Sequence, residues 1–165
     1  MNYSKKISSQ IGPLYLIASE HALIAIDNVS SELYKMATKS STHKILNLTH
    51  KQLDEYFSGI RVEFDLPLEP VGTPFQQKVW KALMKIPYGS VWSYGEQAKF
   101  LKSPKASRAV GGANGKNPIP IIIPCHRVIG STGKLTGYSG GMKMKIGLLK
   151  LEGHQISGLQ LNKNT

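Results

Sequence analysis

The stretch Leu66-Pro67-Leu68-Glu69-Pro70-Val71-Gly72 excludes regular structure, because its prolines lack a backbone N–H and its glycine adds conformational freedom. It lies near the middle of a 165-residue chain, so the residues on either side must organise separately. The two sides also differ in charge. Residues 1–71 carry 7 Lys and Arg against 8 Asp and Glu, whereas residues 72–165 carry 14 against 2, so the net charge of +11 resides in the second part. A basic surface kept for solubility would not need to be one-sided, and the segregation points to a polyanion, with nucleic acid the natural partner. The expected organisation is two domains, 1–71 and 72–165, with enough apolar residues (41%) for a real core.

The first part reads as mixed α and β. Leu14, Leu16 and Ala18 are followed by Leu23-Ile24-Ala25-Ile26, which suggests a hairpin. Ile45, Leu48, Leu53, Tyr56 and Phe57 fall near one helical face before Gly59, and Val62, Phe64 and Leu66 alternate as a short strand. His21, His43 and His50 lack neighbours at metal-ligand spacing and read as surface or packing residues. After Gly72 the period becomes helical. Thr73-Pro74-Phe75-Gln76 and Ser93-Tyr94-Gly95-Glu96 are both capping boxes, and Ser103-Pro104 should open a helix running toward Asn114. Two short helices, the second carrying Lys105 and Arg108, look like a helix-turn-helix, and Gly111-Gly112 should admit another backbone. Met142, Ile146 and Leu149 mark a last helix capped by Gly153, and from Gln155 onward the chain should fray. No apolar run is long enough to span a membrane and the first residues do not read as a signal peptide, so the expected location is the cytoplasm, or the nucleus in a eukaryote.

Within the basic part, Ile123-Pro124-Cys125-His126-Arg127-Val128-Ile129 holds the only cysteine of the chain. A lone cysteine is most often a small buried hydrophobe. This one follows Asn117-Pro118-Ile119-Pro120-Ile121-Ile122-Ile123-Pro124, whose prolines and isoleucines predict a stiff, extended approach, and it precedes a histidine that could take the thiol proton directly or through water. Without a second cysteine, neither an intramolecular disulfide nor a thiolate metal cluster can form, which leaves reactivity or burial.

Pro124-Cys125-His126-Arg127-Val128 and Asn117-Pro118, with Ser93-Tyr94-Gly95, Ser107-Arg108-Ala109-Val110-Gly111, Gly137-Tyr138-Ser139-Gly140-Gly141 and Leu151-Glu152-Gly153-His154, together resemble the 6-O-alkylguanine-DNA alkyltransferase family. The resemblance covers the whole second part in register, and the first part looks like the family's poorly conserved α/β domain. It implies an α+β fold with a small ribonuclease H-like α/β domain followed by a mostly helical winged helix-turn-helix domain. It implies that Cys125 takes the alkyl group from the guanine oxygen, and from methylated thymine as well, keeping it as a thioether in a suicide reaction. His126 would relay the thiol proton through water, Glu152 would orient His126, and Asn117 would hold the active-site turn. Tyr94 would donate to the guanine ring, and Arg108 would fill the gap left by a flipped nucleotide, entering from the minor groove. The carbonyls of Cys125 and Val128 and the amide of Ser139 would read the base edge, Tyr138 would line the pocket, and Lys105 would contact DNA. Alkylated double-stranded DNA is the implied partner of a monomer, and no cofactor is implied. Some relatives hold zinc in the first domain through cysteines that this chain lacks, so no metal is expected.

Two alternatives remain at this level. A cysteine hydrolase would use the same Cys, His and acid, but would not account for the one-sided charge. A non-catalytic helix-turn-helix DNA-binding protein would account for the charge, but would make Cys125 dispensable. Gly130-Ser131-Thr132-Gly133-Lys134-Leu135 is not a phosphate-binding loop, which would need glycine at Val128 and serine or threonine at Leu135.

Overall fold

The computed structural model describes residues 1–162, and these divide into two compact units. The first comprises Met1–Val71 with Pro118–Pro120, and the second Gly72–Asn117 with the chain from Ile121 on.

In the first unit, strands β1 (Tyr3–Ile7), β2 (Leu14–Ala18) and β3 (Leu23–Asp27) form an antiparallel meander. The two-residue β4 (Thr38–Lys39) adds in parallel to β1, giving the order β3-β2-β1-β4. The expected hairpin is the β2–β3 pair. Residues alternate across a strand, so Leu14, Leu16 and Ala18 leave one face of β2 while Tyr15 and Ile17 leave the other. Tyr34, on the short helix α1 (Glu32–Met36), packs with Ile17 and sets its ring edge-on to Tyr15, 4.8 Å between centroids. Helix α2 (Lys44–Phe57) lies across β1, β2 and β3 and buries Leu46, Leu53 and Tyr56.

The expected strand at Val62–Leu66 does not form. Its backbone is held instead by the buried Gln52 side chain, whose amide donates to the Asp65 carbonyl (2.9 Å) and accepts from the Asp65 N–H (2.8 Å). That side chain takes the two backbone groups of Asp65 that a partner strand would otherwise meet. Regular contact resumes only at Leu68, which bridges to Leu23.

The second unit begins with α3 (Pro74–Leu83), whose N-terminus carries the complete Thr73–Gln76 capping box. Gly72, just before it, lies against Trp80: a Cβ there would stand 2.3 Å from the indole. Strand β5 (Trp92–Ser93) leads directly into α4 (Tyr94–Phe100), again through a complete capping box, Ser93–Glu96. The next helix, α5, spans Ser107–Asn114 and so starts later than Ser103-Pro104 suggested. Residues 101–106 are a turn in which Ala106 N donates to Ser103 O, and no side chain caps α5. A good capping residue is only a local preference, and here the Ser103 carbonyl closes the turn instead.

Helices α4 and α5 are joined by a buried amide pair. Gln97 Nε2 donates to Asn114 Oδ1 (2.9 Å), and Asn114 Nδ2 donates back to Gln97 Oε1 (2.7 Å). Trp80 Nε1 donates to the Ala113 carbonyl (2.9 Å), which fixes α3 to the end of α5. A 3-10 turn at Cys125–Arg127 continues into β6 (Val128–Ile129), and β6 pairs in parallel with β5. Helix α6 (Met142–Leu151) follows. Beyond it, β7 (Gln155–Ser157) and β8 (Gln160–Asn162) form an antiparallel hairpin where fraying was expected; the expectation for 163–165 lies outside the described residues. The anchor is Leu161, buried with Ile129, Leu135 and Leu149, an apolar contact that the surrounding polar residues concealed.

Candidate active site

The β5–β6 pair sets the geometry of the site. Trp92 lies opposite Val128 in this parallel pair, so Tyr94, which follows β5, and the turn Cys125–Arg127, which precedes β6, flank opposite ends of a two-residue ribbon, and Tyr94 and Cys125 both reach the lining of one cavity. That cavity measures about 370 Å³. Tyr94 of α4, with Gly111, Asn114 and Gly115 at the end of α5, forms one wall, and Gly137, Tyr138 and Ser139 form another, with Cys125 in the lining. A cavity of this size suits a small organic group such as a single base.

The approach to Cys125 is not extended. Residues 118–123 bend and turn, and Ile121 sits at φ +76°, a left-handed conformation that a β-branched side chain rarely adopts. Two bonds hold the distorted segment: Asn117 Nδ2 donates to the Ile123 carbonyl (2.7 Å), and Cys125 N donates to the same oxygen (2.8 Å). Burial of Ile121, Ile122 and Ile123 supplies the force that keeps them in place. Rigidity at this segment therefore comes from a side-chain clamp on a turn.

Cys125 is 6% exposed. Burial pushes its thiol pKa up, while hydrogen bonds from Asn117 and Tyr138 and the charge of Lys145 act in the opposite direction. Each of these groups favours the thiolate over the thiol, at a position where burial leaves little solvent to do so.

His126 is fully buried, and its Nε2 lies 2.7 Å from Glu152 Oε2. The other nitrogen, Nδ1, is buried and has no hydrogen-bond partner among the described residues. Burial lowers the His126 pKa against the opposing pull of Glu152, so the ring is neutral at neutral pH. With Nε2–H donating to the carboxylate, Nδ1 carries the lone pair and is a base with a free valence. For Glu152, burial would raise the pKa, but hydrogen bonds and charge from His126 and Arg127 outweigh it and hold the carboxyl at about 2.

Arg127 was not singled out in the sequence. It donates from Nε to Glu152 Oε1 (2.8 Å), from Nη2 to Glu152 Oε2 (3.1 Å) and from Nη1 to the Ile86 carbonyl (2.7 Å), with its guanidinium 5.8 Å from the centre of the Tyr88 ring. The planar fork fixes both carboxylate oxygens, so the histidine meets an acceptor whose position is set. Its signal was its place beside His126, but adjacency in sequence does not reveal a partner 25 residues away.

The other expected site residues divide into two groups. Tyr94, Tyr138 and Ser139 line the cavity, and the Tyr94 hydroxyl lies 3.1 Å from Thr136 Oγ1. The Cys125 and Val128 carbonyls each already accept one bond, from Val128 N and from Lys145 Nζ (2.7 Å), which leaves each oxygen a second lone pair. Arg108 and Lys105 stand apart from the cavity lining, exposed on α5 and on the turn before it. Gly111 faces the Tyr94 ring, 3.5 Å from the place of a Cβ, so the neighbour it admits is an aromatic ring and not the expected backbone. Gly140 is required by packing, since a Cβ there would stand 2.6 Å from Met144 Sδ and 2.9 Å from the Tyr138 ring. Among the described residues no group of three or more His, Cys, Asp or Glu could hold a metal ion.

Comparison with known proteins finds matches over both units. The ribonuclease-like domain of 6-O-methylguanine DNA methyltransferase matches residues 2–70, and the DNA binding domain of the same protein matches residues 74–154. The methylated-DNA–protein-cysteine methyltransferase of Methanosarcina acetivorans is 47% identical over 92% of this chain and 98% of its own. That of Mycobacterium tuberculosis H37Rv is 48% identical over 92% of this chain and 93% of its own. A crystal structure of the M. tuberculosis OGT in complex with DNA superimposes with a TM-score of 0.85 at 47% identity, covering 91% of this chain and 92% of that one. The chain belongs to the 6-O-methylguanine DNA methyltransferase family.

Proposed function

We propose that this chain repairs DNA by transferring the alkyl group of 6-O-alkylguanine, and of 4-O-methylthymine, irreversibly to its own Cys125. The thiol proton passes through a water to His126 Nδ1, and the sulfur attacks the alkyl carbon. A carbon–sulfur bond forms as the carbon–oxygen bond breaks, and the electron pair goes to the guanine oxygen. Tyr94 donates to the ring as charge develops, and the relayed proton is returned to the base, leaving guanine and a thioether. Glu152, held by Arg127, stabilises the imidazolium while it exists. Asn117 holds the turn and hydrogen-bonds the sulfur. The Cys125 and Val128 carbonyls and the Ser139 amide read the base edge against Tyr138. A thioether is not reversed by cellular thiols, so one molecule repairs one lesion.

The domain assignment that accompanies this reading is residues 1–71, ribonuclease H-like, and residues 72–165, a winged helix-turn-helix. Helices α4 and α5 form the helix pair, Arg108 replaces the flipped nucleotide from the minor groove, and Lys105 contacts the backbone. The protein acts as a monomer in the cytoplasm; among the described residues no helix is long and apolar enough to cross a membrane.

The observation that carries the reading is the buried line Arg127–Glu152–His126, which ends, among the described residues, in an unpartnered nitrogen on the residue that follows Cys125, itself in the lining of a base-sized cavity. A non-catalytic DNA-binding protein has no use for such a line. Incubation with a duplex containing 6-O-methylguanine should raise the intact mass by one methylene equivalent on the peptide bearing Cys125, reaching a plateau at one group per protein. Sustained turnover by the same molecules, or no mass gain, overturns the proposal.

A further inference from the structure

Lys145 lies in the apolar stripe of α6, three residues after Met142 and four before Leu149, and is 1% exposed. A buried ammonium needs a counter-ion or a full set of acceptors. It has two acceptors: Nζ donates to the Val128 carbonyl (2.7 Å) and to the Thr136 carbonyl (3.0 Å), leaving its third N–H without an acceptor among the described residues. No ion pair joins it to a carboxylate among the described residues. The second unit contains only two acidic side chains. Glu96 closes the α4 capping box at the surface, and Glu152 is held by His126 and Arg127. Among the described residues, the acidic group that favours its charged form is the Cys125 thiol, which lies in the turn just before Val128.

Its two acceptors are also well placed. Val128 follows the turn that bears Cys125, and Thr136 precedes Gly137-Tyr138-Ser139, the opposite wall of the cavity. One ammonium thus ties the strand that follows Cys125 to the residue that precedes the Gly137–Ser139 wall. We propose that Lys145 is a positioning residue for alkyl transfer, acting as the counter-ion of the forming Cys125 thiolate while its two carbonyl bonds fix the cavity walls on either side.

Burial lowers the Lys145 pKa to about 8, against the opposing effect of Cys125, so the side chain is charged at neutral pH and loses its proton just above it. The other ionisable groups around the pair are His126, Arg127, Glu152 and the Tyr138 hydroxyl, and none of these gives the ammonium a carboxylate of its own. The thiolate is therefore favoured while Lys145 is charged, and the advantage should fade above about pH 8.

The ion pair can be tested independently of DNA, and only its role in transfer rests on the alkyltransferase reading above. Since Cys125 is the only cysteine, the rate of its alkylation by iodoacetamide against pH reports its ionisation without ambiguity. Lys145→Met keeps the volume and removes the charge. It should slow alkylation roughly tenfold or more at pH 7, a shift of about one pKa unit or more in the thiol, and should converge on the wild-type rate at high pH. Lys145→Arg should retain the wild-type midpoint. A uniform reduction at every pH would make Lys145 a structural tether alone and overturn the counter-ion. Should Lys145→Met fail to fold, the Lys145 ammonium can be titrated by ¹⁵N-lysine NMR in the wild type and in Cys125→Ser. Its midpoint should fall when the ionisable sulfur is gone, and an equal midpoint in both proteins refutes the pair. If wild type shows these titrations but takes no methyl group from 6-O-methylguanine duplex, the alkyltransferase reading fails while the ion pair stands.

Discussion

Replacing Glu152 with glutamine perturbs the group on which the relay converges. The carboxylate accepts from His126 Nε2 and from two nitrogens of Arg127 at 2.7–3.1 Å, and Glu152 is 5% exposed. Its pKa of about 2 in the folded protein, against a reference of 4.5, makes folding depend on pH. A lowered folded-state pKa contributes stability that is complete above the unfolded value and is lost as pH falls from about 4.5 toward about 2. A gap of roughly 2.5 units corresponds to about 3 kcal/mol at neutral pH, in the range expected when a buried ion pair loses one partner. The same change removes a charged hydrogen bond from the imidazolium, a contribution of about 1.5–3 kcal/mol, so transfer should slow roughly 10- to 100-fold. Urea unfolding at pH 7 and at pH 3, with single-turnover transfer from a 6-O-methylguanine duplex, measures both effects. The variant should be less stable by about 3 kcal/mol at pH 7, with a gap that narrows on acidification. A gap independent of pH refutes the assignment of that stability to the charged carboxylate. A transfer rate equal to wild type at every pH removes Glu152 from the proton relay.

Cys125→Ser should abolish transfer and leave duplex affinity within about twofold by fluorescence anisotropy, since a hydroxyl is nearly isosteric but far less ionised; a large loss of affinity would make the thiol part of the DNA-binding surface. For Arg108→Ala, a defect in transfer that persists at saturating duplex and shrinks when the lesion sits in a mismatch supports a role in the flipped state, whereas a salt-dependent loss that vanishes at saturation reduces the residue to a phosphate contact. Gln97→Leu leaves the Asn114 amide buried and unpaired, and should cost about 1–3 kcal/mol in urea unfolding. Adding Asn114→Leu should recover part of that loss, and strict additivity of the two changes would show that the amides do not act as a pair.

What the chain determines by itself is what its neighbouring residues can settle. Both capping boxes were legible because donor and acceptor lie three residues apart, and the break before Gly72 because proline and glycine act on their own backbone. The lone Cys125 beside His126 and the one-sided charge were equally plain, and together with the other motifs they indicated the chemistry. Local signals failed where a distant group supplied the missing bond. Gln52 satisfies Asp65 in place of a strand partner, Leu161 turns a polar tail into a hairpin, and Asn117 clamps a turn where prolines implied an extended run. Resemblance placed Glu152 beside His126, but only the fold showed that Arg127 shares that carboxylate and leaves His126 Nδ1 unpartnered. Lys145 gave one hint, a lysine in an apolar stripe, yet its meaning depended on which carbonyls and which sulfur the folded chain would bring to it. Backbone preference is decided within a turn or two of sequence. The protonation state and partner of a buried charge are decided by the tertiary structure, because the energy of a charge depends on everything within a few ångströms of it, wherever that lies in the chain.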